Sequence, residues 1–213
     1  MEDRSEMSSD ANTLTDLYNA LRDEDAVIYA HVGGRYANIH YDHDPLLETA
    51  VEMHSAWGTF EWVLTDGFPL GRRVGVVCNS DGHKGRPGAS YPGASTFGSL
   101  GGLTCFLTDQ NDRPSIMEAQ RRRHNYGTTG CRMFMDVTAE LPVAGQICTR
   151  NPAAVPDTPR LPVDRIMMGD IVETTARTAE ISFSVEAHAG IEKIELRNGS
   201  KVLHRFRPYD DPD

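Results

Sequence analysis

The chain has 213 residues, 39% of them hydrophobic and 24% charged, with a net charge of −10. That balance belongs to a globular chain with a sizeable core, not a disordered one. The acidity excludes nucleic acid as the main partner, and the lack of any long apolar run excludes a membrane span.

Met1 to Asp10 is acidic and polar, unlike a secretory leader, so the expected location is the cytoplasm. Residues 1–12 read as a flexible tail. Thr13 to Asp23 reads as a helix, because Leu14, Leu17, Tyr18 and Leu21 recur at helical spacing, with Asn12 or Thr13 as its cap. Ala26 to Ala30 is a short apolar run, expected as a strand buried on both faces and ending at His31. Thr49 to Met53 is a second strand, ending near Glu52 and His54, and Thr59 to Thr65 is a helix. Val74 to Cys78 is the clearest strand and runs into Asn79-Ser80-Asp81-Gly82-His83. A loop rich in Gly, Pro and Ser follows from Gly82 to Gly102. Leu103 to Leu107 reads as a strand, Pro114 to His124 as a helix with Pro114 in its first turn, and Met133 to Val137 as a strand.

Strands alternating with helices predict an α/β layer or barrel around a mainly parallel sheet. The pattern covers 13–140. Residues 141–165 carry Pro142, Pro152, Pro156, Pro159 and Pro162 and read as a Pro-rich connector. Residues 166–213 read as a small antiparallel β unit, because Glu180 to Ala187 alternates and Asn198-Gly199 marks a hairpin. The four cysteines lack metal-ligand spacing and are expected as free thiols.

In α/β folds, reactive groups gather at the carboxyl ends of parallel strands. Three apolar runs here end in metal-capable residues: His31; Glu52 with His54; and Asp81 with His83. Asp81 and His83 face one ion together if the strand stays extended through them. Imidazole with carboxylate suits zinc, manganese or iron. Arg35, Lys84 and Arg86 lie beside these positions and suit a small anionic substrate such as a phosphoester. Arg121, Arg122, Arg123 and His124 place charge at a helix C-terminus. Trp57, Phe60 and Trp62 read as core or as the wall of a pocket.

His31-Val-Gly-Gly-Arg35, Val51-Glu-Met-His-Ser55 and the stretch Asn79 to Gly88 resemble the carboxyl-terminal half of a polymerase-and-histidinol-phosphatase (PHP) metallohydrolase. Gly101-Gly-Leu-Thr104 and Tyr126-Gly-Thr-Thr-Gly130 are similar to the DUF3604 branch of that superfamily. The resemblance spans roughly Thr13 to Val137, and the β unit looks like that branch's tail. It implies a distorted (β/α)₇ barrel, of which this chain holds the latter strands and helices. It also implies divalent ions that activate water for phosphoester hydrolysis. His31, Asp81 and His83 match metal ligands, Glu52 and His54 are the candidate catalytic groups, and Arg35, Lys84 and Arg86 the substrate contacts. The family opens with a His-x-His motif, and no histidine precedes His31. The expectation is therefore a hydrolase that is incomplete as this chain, working as an oligomer or with a complementing chain. The alternative is a non-catalytic fragment acting as a binding module.

Overall fold

The computed structural model describes residues 11–33, 37–83, 85 and 101–209. Helix α1, Leu14–Leu21, starts where its capping residues place it. Thr13 Oγ1 accepts from the Asp16 backbone N–H, and the Asp16 carboxylate accepts from the Thr13 N–H.

The run Ala26 to Ala30 forms no strand, contrary to expectation. Its residues are only half-buried or exposed; Ala26 N–H bonds the nearby Glu24 O at 2.8 Å, and Ile28 N–H bonds the distant Leu47 O at 2.9 Å. Apolar composition was its only strand signal, and among the described residues no neighbouring strand pairs with it.

Strands β1, Ala50–Ser55, and β3, Gly75–Cys78, are parallel neighbours, and β2, Gly58–Thr59, folds back on β1 as an antiparallel hairpin. Helix α2, Trp62–Gly67, begins three residues later than the apolar pattern suggested. It packs Val63 into the core with Val32, Ile39 and Val51, and Phe60 lies against that cluster. Trp57 and Trp62 are exposed rather than core. Strand β4, Leu103–Phe106, is antiparallel to β5, Asn125–Thr128. The Thr104 hydroxyl couples β4 to β3, accepting from Cys78 N–H at 3.0 Å and donating to Cys78 O at 2.9 Å.

Helix α3, Arg113–Arg121, lies between β4 and β5, with Asp112 as its cap and Pro114 in its first turn. The charges at its end are committed to specific bonds. Arg121 pairs with Asp25, while Arg122 Nη2 and His124 Nε2 reach Asp170 Oδ1 at 3.0 and 2.8 Å.

The remaining strands are β6, Met133–Cys148; β7, Arg160–Met167; β8, Ile171–Glu173; β9, Glu180–Ala187; β10, Ile194–Asn198; and β11, Lys201–Phe206. β6 is the spine of an antiparallel sheet: β7 runs along one edge, and β9 then β8 along the other. The expected connector at 141–165 is therefore largely strand. Its prolines misled because they sit where a sheet tolerates them. Pro142 falls in the register break between Glu140 and Gly145, and Pro162 lies on β7, an edge strand. The β10–β11 hairpin turns at Gly199, whose φ of +58° suits glycine.

The architecture is mixed α/β with small sheets. The only parallel pair among the described residues is β1–β3, and no closed barrel is present among them. The expected mainly parallel sheet is thus corrected: every other pairing is antiparallel. All four cysteines are free, and Cys78 and Cys148 are buried. No described helix is long and apolar enough to cross a membrane.

Asp170 joins α3 to the β7–β8 turn. Burial alone would raise its pKa, but hydrogen bonds from His124 and the Met167 N–H, with the charges of His124 and Arg122, hold it below 3.8. The unfolded chain therefore takes up this proton first as pH falls, so protons favour unfolding. Stability contributed by Asp170 is present above about pH 4 and lost as pH falls through the depressed folded value. Urea midpoints measured from pH 6 to pH 2 are expected to drop more steeply for the parent than for Asp170→Asn. Parallel pH curves would show that Asp170 is not the linked group.

Candidate metal site

The site is assembled beside the carboxyl ends of β1 and β3. Glu52 projects from β1 and is almost fully buried. Its Oε2 accepts from the Val32 N–H at 2.9 Å and lies 2.6 Å from His31 Nδ1, while Oε1 accepts from Asn79 Nδ2 at 2.8 Å. Ser55, on the same strand, donates to Val32 O at 2.9 Å. β1 thus clamps the segment bearing His31 from two positions. Because a carboxylate only accepts, His31 donates from Nδ1, and in the neutral ring Nε2 then keeps the lone pair.

That Nε2 faces Asp81 Oδ2 across 3.8 Å. The gap is too long for a hydrogen bond. Tetrahedral ligands about 2 Å from one ion stand roughly 3.3 Å apart, so the two groups must close by about 0.5 Å to share an ion. Asp81 Oδ2 is buried and has no hydrogen-bond partner among the described residues, a costly state for a carboxylate oxygen. Asp81 is held by a turn. β3 stops at Cys78, Asn79 N–H bonds His54 O at 2.9 Å, and Asp81 adopts φ of +48°, a conformation aspartate tolerates better than most residues. Gly101 makes this close packing feasible: with φ of +71°, a Cβ there would stand 2.6 Å from Ser80 Cα.

The turn corrects one expectation. The strand does not stay extended through Asp81 and His83, so alternation does not align them. His83 instead folds back, its Nδ1 2.7 Å from the Asp81 carbonyl oxygen and 3.7 Å from Asp81 Oδ1. Its ring remains largely exposed. Of the sequence candidates, His31, Glu52, Asp81 and His83 come together. His54 stands apart from them. Its Nδ1 meets Thr59 Oγ1 at 2.8 Å, its Nε2 is buried without a partner among the described residues, and burial lowers its pKa, with the Glu52 charge opposing. Arg35, Lys84 and Arg86 lie outside the described residues.

Two participants were missed by sequence reasoning. Asn79 bonds Glu52 and, at 3.3 Å, the Tyr29 hydroxyl. Tyr29 has its pKa raised by burial and then by the Glu52 charge. Asn79 stood inside the Asn-Ser-Asp-Gly-His stretch, so its position was in view. Its bond to a carboxylate 27 positions away had no sequence signal.

Both oxygens of Glu52 are engaged, which is the arrangement of a carboxylate that orients a histidine. A metal would find His31 Nε2 and Asp81 Oδ2 as its described donors, with His83 adjacent. The donor types and tautomer fit a divalent ion. Among the described residues, however, no three His, Cys, Asp or Glu side chains converge on one point.

A family model described as a protein of unknown function (DUF3604) matches residues 73–196. The match includes Asp81 and His83 and runs through β9, whereas His31, Glu52 and His54 precede it. No curated protein and no solved structure matches the chain.

Proposed function

The chain belongs to the DUF3604 family, and from that premise we propose that it contributes His31 and Asp81, with His83, to a divalent-metal site that hydrolyses phosphoesters or related small anionic esters. The observation that carries this reading is Asp81 Oδ2, buried and unpartnered among the described residues, lying 3.8 Å from Nε2 of an oriented His31. Likeness to the PHP superfamily, stated above on sequence motifs, is part of the same proposal.

Under it, Glu52 holds the proton on His31 Nδ1 and keeps Nε2 pointed at Asp81. Asn79 braces Glu52 and carries the Tyr29 hydroxyl into the same network. When bound, zinc, manganese or iron supplies an activated water by lowering its pKa to near 7. Arg35, Lys84 and Arg86 hold the anionic substrate. A catalytic zinc takes about three protein ligands, so we assign the missing donors to a complementing chain.

The test is metal analysis after exhaustive dialysis. The purified chain is expected to retain fewer than two ions, and Asp81→Ala with His83→Ala to retain none. Two or more tightly bound ions per chain would contradict the shared-site reading. Unchanged metal content in the double variant would place the site elsewhere. A non-catalytic binding module is the second reading, favoured by the lack of a third convergent donor among the described residues. Esterase activity that depends on added metal and vanishes in the double variant would exclude it.

A further inference from the structure

A second cleft carries an independent charge imbalance. It encloses about 690 Å³ between β3, β5 and the β7–β8 turn, inside the roughly 300–1,000 Å³ range of small-ligand pockets. Three arginines line it, Arg72, Arg73 and Arg123, against one carboxylate, Asp170. Asp170 is fully used by His124, Arg122 and the Met167 N–H. Arg72 is partly balanced, with Nη1 4.0 Å from Glu48 Oε2 and Nη2 donating to Asp42 O.

Among the described residues Arg123 makes no ion pair, and the Asp170 carboxylate acts on it only at longer range. Arg123 is 7% exposed and donates only to backbone carbonyls, Nε to Gly169 O and Nη1 to Arg121 O, each at 3.0 Å. Burial brings its pKa down to about 10, with Arg73 and Arg122 adding to the fall and Asp170 opposing it. A buried guanidinium without a carboxylate is costly unless something neutralises it. Arg73 is exposed and forms no ion pair within 4.0 Å of a described carboxylate, although its charge acts on Glu173 at longer range. Met53, Val74, Val76, Met135 and Met168 supply apolar wall, and Asn125 and Tyr126 add polar groups to it.

We propose that this cleft binds a small organic anion, its carboxylate head between Arg73 and Arg123 and its short apolar body against the methionine and valine side chains. The methionines suit a loosely specified apolar body, since their flexible thioethers adapt to shape. Neutralisation of Arg123 by the ligand completes a charge balance that the protein leaves open. This site is separate from the metal site and does not depend on its function.

The methionines also supply the readout. With methyl-¹³C methionine and EDTA present, hexanoate is expected to produce saturable NMR shifts at Met53, Met135 and Met168. Met117 on α3, outside the cleft, should not move. Arg73→Gln, at an exposed position, should leave the fold intact and weaken hexanoate about tenfold, as expected for one charged contact. Acetate, lacking four methylenes, should bind more than tenfold weaker. Any one of four results would overturn the proposal: no saturable shift at millimolar hexanoate, equal shifts with 1-hexanol, unchanged affinity in Arg73→Gln, or acetate binding as tightly as hexanoate.

Discussion

Glu52→Ala is expected to destabilise the protein by about 3 kcal/mol or more. The change removes the acceptor for a buried Val32 N–H, the acceptor for Asn79 Nδ2 and the partner of His31 Nδ1 in one step. Each orphaned buried donor costs about 1–3 kcal/mol, and the truncated side chain leaves a void beside the Val32 and Val51 cluster. His31→Ala is the control. Its ring is 47% exposed, so its loss should cost about 1 kcal/mol or less. Urea denaturation of both variants checks this. If Glu52→Ala is no more costly than His31→Ala, Glu52 is not the hub that the geometry implies. Under the proposed function, both variants also lose metal affinity, one by removing the orienting group and the other by removing the ligand.

Gly169→Ala should be of similar or larger magnitude. Gly169 sits in the β7–β8 turn at φ of +94°, a region side-chain-bearing residues rarely adopt. A Cβ there would fall on the Arg123 carbonyl group, which is backbone and cannot swing aside. Strain of about 1–3 kcal/mol from the dihedral is joined by the steric displacement of the α3 terminus. The same shift would break the Arg123 Nε to Gly169 O bond and pull Asp170 away from His124. The expected result is a loss of about 3 kcal/mol or more, or failure to fold. Gly199→Ala provides the comparison, because its φ is +58° but a Cβ there would make only an ordinary contact with Phe68. Equal costs at the two glycines would show that the dihedral alone, not the close approach to Arg123, decides the effect.

Elements with strong local signals were legible. The cap at Thr13, the start of α3 near Pro114, the alternation of β9 and the hairpin at Gly199 each follow from nearby residues. Ala26 to Ala30 and the prolines of 141–165 misled because their state depends on distant partners. An apolar run becomes a strand only if another strand lies alongside. A proline ends a strand only if its missing N–H faces a neighbour, and in β7 it does not need one.

The candidate site divides in the same way. His31, Glu52, Asp81 and His83 were visible as polar residues following or ending apolar runs, and the chain order alone brought them under suspicion. Residue types and local spacing single out Glu52, Asp81 and His83 at β1 and just beyond β3, whereas His31 reaches β1 only through bonds to Glu52 and Ser55. The tertiary structure alone decided their roles. Long-range hydrogen bonds fix Nδ1 of His31 as a donor and commit both oxygens of Glu52, while one oxygen of Asp81 has no partner among the described residues. The uncompensated charge of Arg123 is likewise a product of burial. Written in the sequence it is one arginine in a basic cluster at a helix end, and only the chain packed around it removes the water that would otherwise neutralise its cost.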